Sequence, residues 1–99
     1  MWSGRLERRT LLAIPVEISN PLDPNGTERT TTENVSPLGI RVLAQLAKAP
    51  NERLMIRSLE GDLRSLVRVV YCQRLSDGRF GVGLQFQQSV ANWLEKVAS

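Results

Sequence analysis

Two sets of polar residues in this 99-residue chain have the types and spacing to hold a phosphate-bearing ligand. Arg5 and Arg9 stand four apart, just before the first alternating apolar run. Asn34, Ser36 and Gly39 follow within Asn34-Val35-Ser36-Pro37-Leu38-Gly39. An arginine fork matches phosphate oxygens and guanine edges. Asparagine adds a donor and an acceptor, and serine a hydroxyl. Residues two apart on a strand share a face, so Asn34 and Ser36 are expected to point the same way. Gly39 lets the chain turn or lets a ligand come close. The arginine spacing alone says little, because it recurs at Arg53/Arg57 and Arg64/Arg68, which read as solvent-facing strand rows. Arg5 and Arg9 differ in preceding the patterned region, with Arg8 between them as a further candidate.

Composition narrows the chemistry. The chain has one cysteine, Cys72, and no histidine, which removes disulfides, cysteine metal cages and the commonest neutral-pH base. There are no paired carboxylates and no phosphate-cradling loop of the P-loop type, so no catalytic constellation, metal site or cofactor is expected. The net charge of +3 comes from eleven Arg and two Lys against ten acidic residues, a bias toward a phosphate- or nucleotide-bearing partner. No apolar run approaches the roughly 20 residues that span a bilayer, and the N-terminus lacks a signal-peptide segment. A cytoplasmic location without membrane insertion is the expectation. Cys72 reads as a small packing residue.

These residues need a scaffold, and the alternation supplies one. Residues 1–10 are polar and read as a flexible arm. Leu12, Ile14, Val16 and Ile18 alternate as a strand, with Pro15 suggesting an edge or a bulge. Residues 20–26 have loop composition. Strands are expected over 29–35, 38–43, 53–59, 66–75 and 79–87, with a helical turn possible over 43–49. Val67, Val69 and Tyr71 read as one side of the fifth strand, and Arg68 and Arg74 as the other. Ser76-Asp77-Gly78 reads as a hairpin turn. In the sixth, Phe80, Val82, Leu84 and Phe86 face one way, while Gly81 and Gly83 leave room for a neighbouring backbone or side chain. Val90, Trp93, Leu94 and Val97 then fall at helical spacing over 89–98, with Ser89 as N-cap and Trp93 as anchor. Six strands and one terminal helix predict a mainly β fold, a six-stranded antiparallel barrel over 11–87 in a single domain.

Taken in order, Arg5-x-x-x-Arg9, the entry Leu11-Leu12-Ala13-Ile14-Pro15-Val16, Asn34-x-Ser36-x-x-Gly39, the strand Leu66-Val67-Arg68-Val69-Val70 and Gly81-Val82-Gly83-Leu84-Gln85-Phe86 resemble the PilZ domain family of bacterial cyclic di-GMP receptors. The resemblance runs over residues 5–87. It implies that Arg5 and Arg9 clasp the phosphates and guanines of cyclic di-GMP, and that Asn34, Ser36 and Gly39 hold the ligand against the outer face of the barrel. It further implies a non-enzymatic second-messenger adaptor acting on an unidentified downstream protein in motility, biofilm or pilus function. Many family members carry another Arg immediately before the first motif arginine. Here that position is Gly4, which favours one bound ligand molecule. Trp2 either packs over the ligand or barrel or plays no part. Two alternatives stay open: an interaction module that binds no nucleotide, and a small nucleic-acid-binding barrel suggested by a pI near 9.8. The second lacks support, since such barrels use aromatic platforms and Phe80 and Phe86 belong to the core pattern.

Overall fold

Period-two alternation closes on itself in this chain. The computed structural model describes residues 11–60 and 62–98. Its strands are β1 (Pro15–Asn20), β2 (Asp23–Val35), β3 (Gly39–Ala44), β4 (Arg53–Ser58), β5 (Arg64–Arg74) and β6 (Phe80–Phe86), followed by helix α1 (Ala91–Ala98). All neighbours are antiparallel, in the order β1-β2-β3-β6-β5-β4, and β4 pairs back to β1 through Val16↔Ser58 to Ser19↔Met55. The expected six-stranded barrel with a terminal helix is therefore the observed one. Closure leaves no strand edge to aggregate.

The inward positions form one apolar cluster, including Val16, Ile18, Val35, Ile40, Val42, Leu54, Ile56, Val67, Val69, Val82, Leu84 and Phe86. Cys72 packs against it. Gly78, at φ +88°, completes the β5–β6 hairpin, where Leu75 N–H donates to the Arg79 carbonyl at 2.8 Å. Left-handed backbone of this kind favours glycine. No helix among the described residues is long and apolar enough to cross a membrane.

Four local expectations are corrected. Residues 20–26 are not one loop: Pro21 and Leu22 turn, Asp23 already pairs with Asn20, and residues 24–27 interrupt the ladder before Glu28 pairs with Ile18. The Asn20 side chain closes this turn by accepting from Leu22 N–H at 2.8 Å, so loop-forming residue types are absorbed into a hairpin. Pro15 occupies neither an edge nor a bulge but the first position of a strand paired on both sides; its carbonyl accepts from Leu59 N–H at 3.0 Å, and it has no N–H to return. No helical turn forms over 43–49. Glu28 instead accepts the backbone N–H of Gln45 at 2.9 Å and of Leu46 at 3.3 Å, and pairs with Lys48 Nζ at 2.8 Å, which engages donors that a helix would need. Finally, the third strand starts at Gly39 rather than at 38, and Leu38 lies in the turn before it, exposed.

Helix α1 is short, as the pattern requires, and Ser89 Oγ accepts from Ala91 N–H at its start, at 3.2 Å. It is docked by Val90 N–H donating to the Pro37 carbonyl at 2.8 Å and by burial of Trp93 and Leu94. An eight-residue helix has little stability alone, so this docking carries it. The buried Trp93 indole N–H finds no acceptor among the described residues. Its contribution is thus apolar area, reduced by a desolvated donor. Trp93→Ala is expected to lower unfolding free energy by about 3 kcal/mol, and Trp93→Phe by under about 1.5 kcal/mol, as measured by urea denaturation. Equal losses in the two variants would contradict this account.

Candidate functional site

Two β-bulges decide which side chains reach the outer face. The β2–β3 register slips between Thr32 and Asn34. Thr32 points inward and is buried, and strict alternation would send Asn34 inward after it. Glu33 takes the extra position, so Asn34 turns outward opposite Arg41. The β5–β6 register slips between Val69 and Tyr71. Val69 is fully buried, Val70 is the exposed extra residue, and Tyr71 emerges on the outer face opposite Gly83. This corrects the placement of Tyr71 beside Val67 and Val69, since a bulge breaks the period-two count.

The registers align Asn34, Arg41, Gly83 and Tyr71 in one row across β2, β3, β6 and β5. Arg41 is its centre. Its Nε donates to Glu33 Oε1 at 2.6 Å and its Nη1 to Tyr71 Oη at 3.0 Å, with longer contacts to Gln73 Oε1. The guanidinium carbon lies 5.7 Å from the centroid of the Tyr71 ring, within cation–π range. Hydrogen bonds from Glu33 first, and then Tyr71, hold the arginine pKa above its already high ordinary value. The group is a permanent cation with its planar fork fixed in place. Both side chains fit because β6 is glycine beneath them. A Cβ on Gly81 would run into the Arg41 guanidinium, and one on Gly83 into the Tyr71 ring. The close approach expected at these glycines is thus made by Arg41 and Tyr71.

Ser36 does not share the face of Asn34. Val35 and Ser36 are both fully buried, so alternation ends with β2. Ser36 Oγ accepts from Gly39 N–H at 3.0 Å and donates to the Gly39 carbonyl at 3.2 Å. Ser36 N–H donates to that same carbonyl at 2.8 Å. Ser36 and Gly39 therefore lock the turn that carries Asn34 and Arg41 on its two strands.

Arg5, Arg8 and Arg9, with Trp2 and Gly4, lie outside the described residues. Residues 11–13 nevertheless show where their segment joins the barrel. Leu11, Leu12 and Ala13 line an open depression of 570 Å³ together with Thr32, Glu33, Asn34 and Arg41. That volume lies in the usual range for small-molecule sites, about 300–1,000 Å³. Thr32 fixes this junction. Its hydroxyl accepts from Ile14 N–H at 3.0 Å and donates to the Leu12 carbonyl, just ahead of Pro15, which has no donor of its own. A second depression of 250 Å³ lies on the far side of the Arg41–Tyr71 pair, bordered by Gly39, Arg68, Tyr71 and Gln85 among others. Sequence reasoning missed Arg41 and Tyr71 as members of this face. The signal available was Gly81-x-Gly83, which announces space but not its occupant.

The two glycines differ in what they would displace. The guanidinium over Gly81 ends a flexible side chain, whereas the Tyr71 ring over Gly83 is rigid. Gly83→Ala is expected to destabilise by about 1–3 kcal/mol, and Gly81→Ala by clearly less, in thermal or urea unfolding. The reverse order would refute the packing described.

The sequence profile of the PilZ domain matches residues 4–96. Among solved structures, the fold is similar to that of the Bacillus subtilis inhibitor of motility (MotI/DgrA), with a TM-score of 0.71 and 19% identity over 92% of this chain. The chain spans 46% of that protein's chain. No curated protein matches the sequence. With both signature clusters and the whole barrel inside the matched span, the chain belongs to the PilZ domain family.

Proposed function

We propose that this chain is a non-catalytic cyclic di-GMP receptor that regulates a partner protein. One geometric observation carries the reading beyond family membership. Arg9 is two residues from Leu11 in the sequence. Leu11 lines the same depression as Asn34 and Arg41. This supports reading the two signature clusters, far apart in sequence, as halves of one site.

In this reading, Arg5 and Arg9 bind the phosphates and guanine edges through bidentate charge-assisted hydrogen bonds. Asn34 meets the ligand from the barrel side. Ser36 and Gly39 contribute by holding the turn in shape, since the Ser36 hydroxyl is engaged with Gly39. Arg8 is a secondary candidate, and Gly4 at the position of a further arginine favours one ligand molecule per chain. Ligand capture draws residues 1–10 onto the barrel and changes the surface offered to a partner. The Bacillus subtilis protein of the same fold is an inhibitor of motility. Motility, biofilm or pilus control is accordingly the proposed setting, with cytoplasmic location part of the proposal.

Calorimetry with cyclic di-GMP tests the reading. Binding with a stoichiometry of one is expected, and losing a charge-assisted contact worth about 1.5–3 kcal/mol should weaken affinity at least about tenfold in Arg5→Ala or Arg9→Ala. Absence of binding at tens of micromolar ligand overturns the function. Unchanged affinity in both variants overturns the site.

A further inference from the structure

The outer face of β4 and β5 carries a charge arrangement that folding alone does not explain. Arg53 lies directly opposite Arg68, and Arg57 directly opposite Arg64. Like charges facing each other across a ladder destabilise a sheet. Between the two pairs, Met55 faces Leu66, and Leu66 is 41% exposed. The face thus reads basic, apolar, basic, in three successive rows.

Compensation is meagre. Glu17 accepts from Arg57 Nη2 at 3.1 Å and from Arg29 Nε at 3.4 Å. Among the described residues, Arg68 bonds the neutral side chains of Asn51 and Gln85. Among the same residues, Arg53 and Arg64 form no ion pair, and neither do Glu60 and Asp62. Of the four arginines in the two opposed pairs, Arg57 alone has a carboxylate partner among the described residues. Opposed arginines around an exposed leucine therefore stand without a folding rationale among the described residues.

We infer that this face docks an acidic segment of a partner protein that places one apolar side chain between two acidic positions. Arginines four residues apart on each strand are about 13 Å apart. An extended acid-x-apolar-x-acid segment has the same repeat. Leu66 borders two depressions, of 280 Å³ and 440 Å³, which accept side chains and which a flat lipid surface would leave unfilled. Single-stranded nucleic acid needs stacking platforms. Here the middle row is aliphatic, and the exposed Tyr71 is engaged with Arg41. The inference shares with the proposed function only the premise that the chain acts on a protein; it does not require cyclic di-GMP.

The probe is the acetylated and amidated peptide Asp-Glu-Ser-Leu-Ser-Glu-Asp, titrated into the isotope-labelled full chain and followed by amide chemical shifts. Shifts over residues 53–57 and 64–68 are expected, with the dissociation constant raised at least about tenfold in Arg53→Glu or when the peptide leucine is replaced by serine. Arg53→Glu should also raise the melting temperature by about 2–5 °C, because it opposes Arg68 with a carboxylate. Shifts that are absent or centred on residues 34–39 overturn the inference. So does tighter binding at this face by an oligothymidylate or by phosphatidylglycerol vesicles, or a lower melting temperature in Arg53→Glu. Cyclic di-GMP calorimetry on the same sample reports the ligand reading separately, so either result can fail while the other stands.

Discussion

Closure of the hydrogen-bond ladder between β1 and β4 is the constraint on which everything else rests. Once Val16↔Ser58 to Ser19↔Met55 is formed, no strand can slip without transferring its apolar set to water. Inside and outside become fixed properties of each position. The buried cluster follows from that, and so does the ordering of outer side chains into rows across several strands.

The departures from strict alternation are as informative as the alternation itself. Barrel closure would direct Asn34 and Tyr71 inward. One inserted residue in each strand, Glu33 and Val70, reverses both, and the two reversed side chains flank Arg41. Bulges concentrate next to functional sites because they re-aim a side chain without disturbing the rest of the sheet. Here two of them, on strands separated by two others, converge on one patch. Glu33 also neutralises the cation around which that patch is built.

Much of this was legible in the residues. Strand number, the hairpin at Gly78, the terminal helix and its Trp93 anchor all follow from periodicity and turn chemistry, because those signals are local. The errors share one cause. Asp23 to Gly26 carry loop-forming residues, but Asp23 is drawn into β2 by its pairing with Asn20, and residues 43–49 favour a helix but surrender donors to Glu28, far away in sequence. Tyr71 was misplaced because a count of two cannot see an inserted residue. At the candidate site, Asn34 and Gly39 were visible as types at a spacing. The inward Ser36 was not, since its burial depends on where β2 stops, and neither was Arg41, whose neighbours come from three other segments.

The glycines of β6 carry a consequence for descent. The strand surrenders its own outward side chains at positions 81 and 83, and the space is filled from β3 and β5. The identity of residue 83 is therefore not independent of residue 71, nor that of 81 of residue 41. A lineage that acquires a larger residue at position 83 must shrink or reorient the aromatic at 71 to keep the barrel closed. In doing so it dismantles the outer row built on Arg41. Drift in the middle of β6 is thereby coupled to loss of an outer row four strands wide, and the two glycines and their tenants should be inherited or abandoned together.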